Sequence, residues 1–403
     1  MTASVEAAAG ADLGRRLPEN PLITARDVPP SLPTLEVVSV FNAAAARVDG
    51  EIVLLLRVAE QPRTDVEPPG HAHTLELSGP EPVLKPLPRG YRMDQLVGLC
   101  FVDSGAYPPR VVVAYIPRDL PGLDLSDPRR IRHIAPEGPL DRANGGIVDY
   151  LAQMSHLRVA RSPDGVRFTV DPSPAMTPLT PYEEYGIEDA RVTFLEGKWH
   201  ITYVSVSRLG ITTSRATTKD FRTFRRHGVM FLPDHKDVVV FPEKVRGRYI
   251  ALTRPMPQSF GRIAGIWIAF SDDLNRWGEH EPVALPRWGE WDELRTGASA
   301  PPFRTSEGWL ELYHGVDRHS RYAMGALLLN GNDPRDVIAR SKEPILAPRE
   351  PYERTGLFKD TVFSCGYVAI AEDRIRLYYG AADSVTAAAD FSIKEILAQL
   401  RPC

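Results

Sequence analysis

An all-β fold, a five-bladed β-propeller with a short C-terminal helix, is predicted by two sets of internal repeats and their spacing. In the first set a turn carrying Gly or Asp leads into an extended apolar run: Asp49-Gly50 (EIVLLLRV), Gly197 (KWHITYVSV), Gly247 (RYIALTRP), Gly308 (WLELYHGV) and Asp373 (RIRLYYGAAD). The last four turns lie 50, 61 and 65 residues apart, the length of one four-stranded sheet with its connections. In the second set RSPDGVRF (161–168), TTKDFRTF (217–224) and SDDLNRW (271–277) pair a small polar residue and an Asp turn with an aromatic. Each reads as the outer hairpin of one blade. A propeller gathers loops from every blade around one axial pocket, so residues distant in the chain can meet there.

Along the chain, residues 1–17 (MTASVEAAAGADLGRRL) are small and polar and read as a flexible tail, leaving 18–403 as a single propeller domain. Strands begin with LEVVSVFNAAAARV at 35–48, and the alternation in WHITYVSV puts Trp199, Ile201 and Tyr203 on one face. The stretch 59–156 is rich in Pro and charge, has its own strand candidate at VVVAYI (111–116), and is too long for a blade connection. It reads as an elaborated first blade or an insertion over one mouth of the propeller. At the other end Ser392 can cap a helix over IKEILAQL, with Glu395 at the capping-box position.

Composition limits the partners. No stretch approaches the roughly 18 apolar residues of a membrane span, and the N-terminus lacks a basic-then-apolar signal, so a soluble, cytoplasmic protein is expected. With 48 basic and 52 acidic side chains and a net charge of −4, the chain has no general attraction for nucleic acid or anionic lipid. Any anion site must be local. Cys100, Cys365 and Cys403 are an odd number without metal-like spacing, and His71 and His73 lack a third ligand. Cys365 reads as a core thiol. Nucleotide and esterase fingerprints are absent, no cofactor is implied, and homo-oligomerisation is compatible with the sequence.

Two clusters can carry chemistry. YEEYGIEDARVT (182–193) packs Glu183, Glu184, Glu188 and Asp189 beside Arg191, a set suited to proton transfer or to accepting hydrogen bonds from sugar hydroxyls; the competing reading is a solvated acidic loop. A basic set, Lys236, Arg254, Arg295 and His314, sits beside core strands, where a cation without a partner is unusual. Singly, each reads as a structural ion pair. Their recurrence at similar blade positions points to blade ends facing the axis.

Taken together, GIEDAR (186–191), KDVVVFPEK (236–244), LTRP (252–255), TGASAPP (296–302), GWLELYHG (308–315), ARSKEPILAP (339–348) and YYGAAD (378–383) resemble glycoside hydrolase family 130, which contains β-mannoside phosphorylases and some β-mannosidases on a five-bladed propeller. The resemblance runs from about Asn20 to the C-terminal helix, apart from much of 59–156. It implies Asp189 as general acid, its proton travelling through a hydroxyl of the bound mannose. It implies Lys236, Arg254, Arg295, His314 and Tyr322 as phosphate ligands, with Asn42, Arg57, Glu188, Arg191, Asp237 and Asp383 shaping the sugar site. The implied reaction is inverting cleavage of β-1,2- or β-1,4-linked manno-oligosaccharides by inorganic phosphate, giving α-mannose 1-phosphate, with no metal or organic cofactor.

Such cleavage needs an acid on one face of the sugar and a nucleophile on the other. A phosphate dianion gripped by Arg, Lys and His donors serves without a protein base. A hydrolase would need a second carboxylate, for which Glu243, Glu311 and Asp360 are candidates; a non-catalytic carbohydrate-binding propeller is the third reading. The chain departs from the family pattern at Ala190 (usually Pro), Arg295 (often Lys), Ser299 (usually Gly) and Asp360 (expected Asn). These imply a looser turn under Asp189 and an added carboxylate near the site.

Overall fold

A computed structural model describes residues 12–65, 72–76, 83–88, 90–134, 147–257 and 263–403. The chain is all-β, and five sets of antiparallel strands follow one another. Sheet I holds Leu35–Val48, Glu51–Pro62, Met154–Ser162 and Thr169–Val170. Sheet II holds Gly186–Leu195, Lys198–Ser207, Gly210–Thr218 and Arg225–Phe231, and a parallel bridge from Ser155 to Gly186 joins it to sheet I. Sheet III comprises His235–Val240, Tyr249–Pro255, Ile266–Ser271 and Gly278–Ala284. Sheet IV is built on Arg295–Ala298, Trp309–Val316, Tyr322–Leu329 and Val337–Ser341, and sheet V on Val362–Ala371, Arg374–Ala381 and Val385–Ser392. The five Gly or Asp turns of the first repeat lead into the second strand of each sheet.

Each sheet buries an apolar face against the next. Val53, Leu157, Ile187 and Ile201 fill the space between sheets I and II; Phe231, Val238, Tyr249 and Leu274 lie between II and III; Phe241, Ile268, Trp309 and Leu327 between III and IV. Leu312, Met324, Leu377 and Phe391 join IV to V, and Val40, Leu54, Val368 and Tyr378 join V back to I. Ile201 and Tyr203 share the buried face expected for them, with half-buried Trp199 packed against it.

The second repeat is one turn used three times. Ser162, Thr218 and Ser271 accept from the backbone N–H groups of Gly165, Phe221 and Leu274, while Asp164, Asp220 and Asp273 each accept from the next two. Phe221 and Leu274 adopt φ of +53° and +64°, costly for large side chains and held here by their burial between sheets.

Two parts differ from the sequence reading. Residues 12–17 of the supposed tail are packed: Arg15–Arg16 pairs with Ala389–Asp390 as the fourth strand of sheet V, and Arg16 bonds Glu353 at 2.7 Å. The remainder of that tail lies outside the described residues. The stretch 59–156 begins in the second strand of sheet I and ends in the third, and between them it forms two further sheets, one containing Arg110–Pro117 paired with Leu96–Asp103, the other Leu123–Asp124, Arg130–Ile134 and Ile147–Leu151. Both rest on sheet II through Leu99, Ile116, Ile131 and Tyr150 against Tyr185 and Val204. The C-terminal helix runs Ile393–Gln399, its first turn capped by Ser392, which accepts from Glu395 N–H. Among the described residues, no helix is long and apolar enough to cross a membrane.

Candidate functional site

Three of the five first strands carry the same irregularity. Asn42–Ala43, Asp189–Ala190 and Asp237–Val238 are two-residue steps facing a single residue of the neighbouring strand, and Asn42, Asp189 and Asp237 have φ of +49°, +46° and +56°. Asn and Asp tolerate this left-handed conformation better than other non-Gly residues, and such bulges re-aim a side chain. Ala190 occupies the same second position as Ala43 and Val238, so the bulge holds Asp189 without the proline usual there. Asp383, at φ +50°, leaves the end of Arg374–Ala381 in the same conformation. Gly380 lets Asn42 approach, since a Cβ there would overlap the Asn42 side chain.

These strand ends open on a cavity of about 200 Å³ to which every sheet contributes: Asn42 and Arg57 from I, Glu188 and Asp189 from II, Lys236 and Arg254 from III, Arg295, His314 and Tyr322 from IV, Phe363 and Asp383 from V. Six cationic and three acidic side chains line it among the described residues, an excess that favours a dianionic guest.

The carboxylates are held by the nearest cations. Asp189 accepts from Asn42 at 2.9 Å and Arg57 at 3.0 Å, while Arg57 also donates to Glu188 at 2.7 Å and stacks 4.6 Å from the Phe41 ring centre. Burial alone would raise the Asp189 carboxyl, but Arg57, then Lys236 and Arg191, hold it below its ordinary value. Asp383 goes the other way. Burial pushes it up to about 6, with Asp189 adding to the rise and Arg57 opposing it.

The cations are only partly used. Lys236 makes no ion pair among the described residues, and Arg295 has a long 3.3 Å contact to the Tyr322 hydroxyl but no carboxylate. Arg254 donates through Nε to Asp237 at 2.6 Å, yet among the described residues its buried Nη1 has no hydrogen-bond partner, and the buried Nε2 of His314 makes no hydrogen bond although it lies 3.4 Å from Asp237 Oδ2. His314 is not the cation the sequence suggests: burial lowers it to about 3 despite Asp237, so it is a neutral imidazole, with Ser299 Oγ 3.1 Å from Nδ1. Ser299 thus seats His314, a role a glycine lacks. Gly297 completes the fit, since a Cβ there would meet both His314 and Asp237.

Two predicted sugar-site residues stand behind the wall. Arg191 spends its donors on Asp237 and on the carbonyls of Asp189, Ala298 and Ser299. Asp237, fully buried, accepts from Arg191 at 3.1 Å and from Arg254; burial would raise its carboxyl, but the Arg254 and Arg191 guanidiniums hold it far below the ordinary range. Their hydrogen bonds are thus spent within the protein. The acidic cluster also divides. Glu183 turns away to Arg226 and the Tyr203 hydroxyl, and Glu184 to Arg208, so neither is a solvated charge and neither reaches the cavity. Of the three candidate bases, Glu243 is exposed, Asp360 pairs with Arg354 at 3.6 Å, and Glu311 is buried with its carboxyl raised well above the ordinary value; none lines the cavity. His71 lies outside the described residues, and among these no cluster of metal-ligating side chains is found.

Sequence reasoning missed Arg129, Arg130, Leu151 and Gln153, which reach the wall from the insertion, and Phe358 from the loop before sheet V. The bulges did carry a sequence signal: an Asn or Asp breaking an apolar strand and followed by Ala or Val, as in FNA, EDA and KDV.

A cavity pairing carboxylates with unused anion donors on an all-β frame has the groups a carbohydrate-active enzyme with an anionic co-substrate requires. Comparison with known proteins narrows the class. The glycoside hydrolase family 130 model, described as beta-1,4-mannooligosaccharide phosphorylase, matches residues 146–401, and the chain belongs to that family. It is 41% identical to a β-1,2-mannobiose phosphorylase of Listeria innocua over 96% of this chain and 98% of that protein. It is 38% identical to a 1,2-β-oligomannan phosphorylase of a Thermoanaerobacter species over 62% of this chain and 83% of that one. The solved Listeria innocua β-1,2-mannobiose phosphorylase, in complex with β-1,2-mannobiose, superposes with a TM-score of 0.81, covering 96% of this chain and 98% of its own.

Proposed function

We propose that this enzyme is an inverting β-mannoside phosphorylase that cleaves β-1,2-mannobiose or a related β-mannoside with inorganic phosphate, releasing α-mannose 1-phosphate. Sheets I to V are then the five blades of a propeller and the cavity its axial mouth. The carrying observation is the division of the wall. Sheets III and IV bring Lys236, Arg254, Arg295, His314 and Tyr322, with donors unused, while sheets II and V bring Asp189 and Asp383. The names of the relatives support the same chemistry. Because the relative similar over nearly the whole chain acts on a β-1,2 linkage, that linkage is placed first.

In this reading phosphate lies against Lys236, Arg254, Arg295, His314 and Tyr322 and attacks the anomeric carbon, so no carboxylate is needed to deprotonate water. Asn42, Arg57, Glu188 and Asp383 orient the mannosyl unit, and Asp189 supplies the proton to the leaving sugar. Before phosphate binds, the proton shared by the two carboxyls rests on Asp383, since Asp189 is the one held low. A phosphate dianion beside Lys236 offsets one of the cations that depress Asp189 and so raises its proton affinity.

Hydrolysis loses ground because Glu243, Glu311 and Asp360 all lie off the cavity wall. A non-catalytic binding role finds no support in a cavity that retains both carboxyls and unused anion donors. All three cysteines are free, which suits the cytoplasmic setting included in the proposal. Homo-oligomerisation also belongs to it, and light scattering would measure it. The central test is incubation with β-1,2- and β-1,4-mannobiose, with and without phosphate. Phosphate-dependent formation of α-mannose 1-phosphate is expected; sugar release indifferent to phosphate would overturn the reading.

A further inference from the structure

The family match begins at residue 146, beyond most of the insertion, yet the insertion supplies part of the cavity wall. Its Arg129 is locked in place: Asp127 accepts from Nε at 3.0 Å and from Nη2 at 2.9 Å, and Arg129 O accepts from Ala152 N–H. Nη1 has no hydrogen-bond partner among the described residues. The guanidinium lies 4.4 Å from the ring centre of Phe358, and that ring packs edge-on against Tyr322 at 5.6 Å. Phe358 is itself fixed beside the sugar carboxylate, because its N–H bonds Ala382 O at 3.0 Å, one residue before Asp383. A planar donor beside an aromatic ring, with Leu151 and Gln153 completing the wall, offers what a hexose presents: an apolar face and a rim of hydroxyls. The blades already provide groups for the anion and for the reacting sugar. The wall formed by the insertion is left for the sugar that departs.

We propose that Arg129, braced by Asp127 and stacked on Phe358, forms the acceptor seat of the cavity and determines which leaving sugar the enzyme accepts. This rests on the phosphorylase reading above. Arg129 Nη1 donates to acceptor hydroxyls, Phe358 presents a platform to the ring, and the insertion is the element that tunes acceptor choice.

The test is steady-state kinetics of the full chain in the synthetic direction, with α-mannose 1-phosphate as donor and mannose, glucose or β-1,2-mannobiose as acceptor. Arg129→Ala and Phe358→Ala are expected to raise acceptor KM about tenfold or more, with KM for α-mannose 1-phosphate and, in phosphorolysis, for phosphate within about twofold. Asp127→Asn, which loosens Arg129 without removing it, is expected to fall between, and the ranking of the three acceptors to change in at least one variant. The milder Arg129→Lys and Phe358→Leu replace any variant that fails to fold. An acceptor KM within about twofold of wild type, or a parallel rise in KM for phosphate, would overturn the proposal. A wild type that turns over no β-mannoside would instead overturn the phosphorylase reading, and this inference with it, before any variant is compared.

Discussion

Buried carboxylates occupy two regions of the molecule, and they are treated differently. Away from the cavity, Glu183, Asp292 and Glu353 each take a tyrosine hydroxyl from the second strand of the sheet that follows them in the chain, Tyr203, Tyr313 and Tyr379, at 3.0, 2.7 and 2.7 Å. Each also takes an arginine from the fourth strand of the same sheet, Arg226, Arg340 and Arg16. The N-terminal Arg15–Arg16 strand therefore gives sheet V the clamp that sheets II and IV draw from their own fourth strands. In these clamps the carboxyls are satisfied and the donors are used: Asp292 also accepts from Arg287 at 2.9 Å, and Arg16 also donates to Asp12 at 2.6 Å. At the cavity, cations outnumber carboxylates, Arg254 and His314 keep buried atoms that make no hydrogen bond among the described residues, and neighbouring carboxyls are driven apart in proton affinity. Unmatched donors are costly to bury; Arg158, His200 and Trp309 carry such atoms elsewhere in the described residues, but those on Arg254 and His314 border the cavity, where a ligand can satisfy them.

The sharpest way to break this contrast is to exchange its consequences. Asp189→Asn is expected to lower kcat/KM by about a hundredfold to ten-thousandfold, with the melting temperature nearly unmoved. A substrate with a good leaving group, such as an aryl β-mannoside, should recover much of the loss, because it needs less help from an acid. An unrecovered loss would instead favour a binding role for Asp189. Glu353→Gln should do the reverse. Breaking this buried pair costs about 3–5 kcal/mol of stability, read by denaturant melts, while kcat/KM of the folded fraction stays close to wild type. Burial would raise the Glu353 carboxyl, but Arg16 holds it below the ordinary 4.5, so its contribution is full above about pH 4.5 and is lost as pH falls further. Next in size, Lys236→Ala and Arg295→Ala are each expected to raise KM for phosphate about tenfold or more, with KM for the mannoside within about threefold. Equal effects on both constants would remove the division of the wall between anion and sugar.

The frame was legible in the sequence because its signals are local. Each Gly or Asp turn before an apolar run marks a second strand, and each Ser or Thr followed by Asp marks an outer turn. The site was legible through its motifs, which sit on the bulges that aim Asn42, Asp189 and Asp237. What stayed hidden depends on which chains come round to meet. Nothing in YEEYGIEDARVT separates Glu183 from Asp189; the separation comes from Arg226, on the outermost strand of the sheet, reaching one and Arg57, from the preceding sheet, reaching the other. Arg191 and Asp237 sit in site motifs yet are consumed by each other and by Arg254, which only the packing of sheets II, III and IV decides. Arg129 lies in a Pro- and Arg-rich stretch with no periodicity, and only its stacking on Phe358 gives it a place.

The smallest expected effect concerns the proton shared by Asp189 and Asp383. Phosphorolysis needs that proton and synthesis needs it gone, because the same group that protonates the leaving sugar must deprotonate the incoming one. In the free site the last proton leaves the pair near 6, the value to which burial raises Asp383. At saturating phosphate the bound anion adds negative charge and moves this loss upward. Phosphorolytic kcat/KM for the mannoside should therefore decline severalfold on the alkaline side, with a midpoint above about 6, while synthetic kcat/KM rises over the same range. Asp383→Asn removes a neighbouring negative charge, so Asp189 loses its proton more readily and the phosphorolytic limb moves to lower pH. A limb unmoved by that change would mean that the two carboxyls titrate independently. The cavity would then resemble the outer clamps, with each charge settled by its own partner.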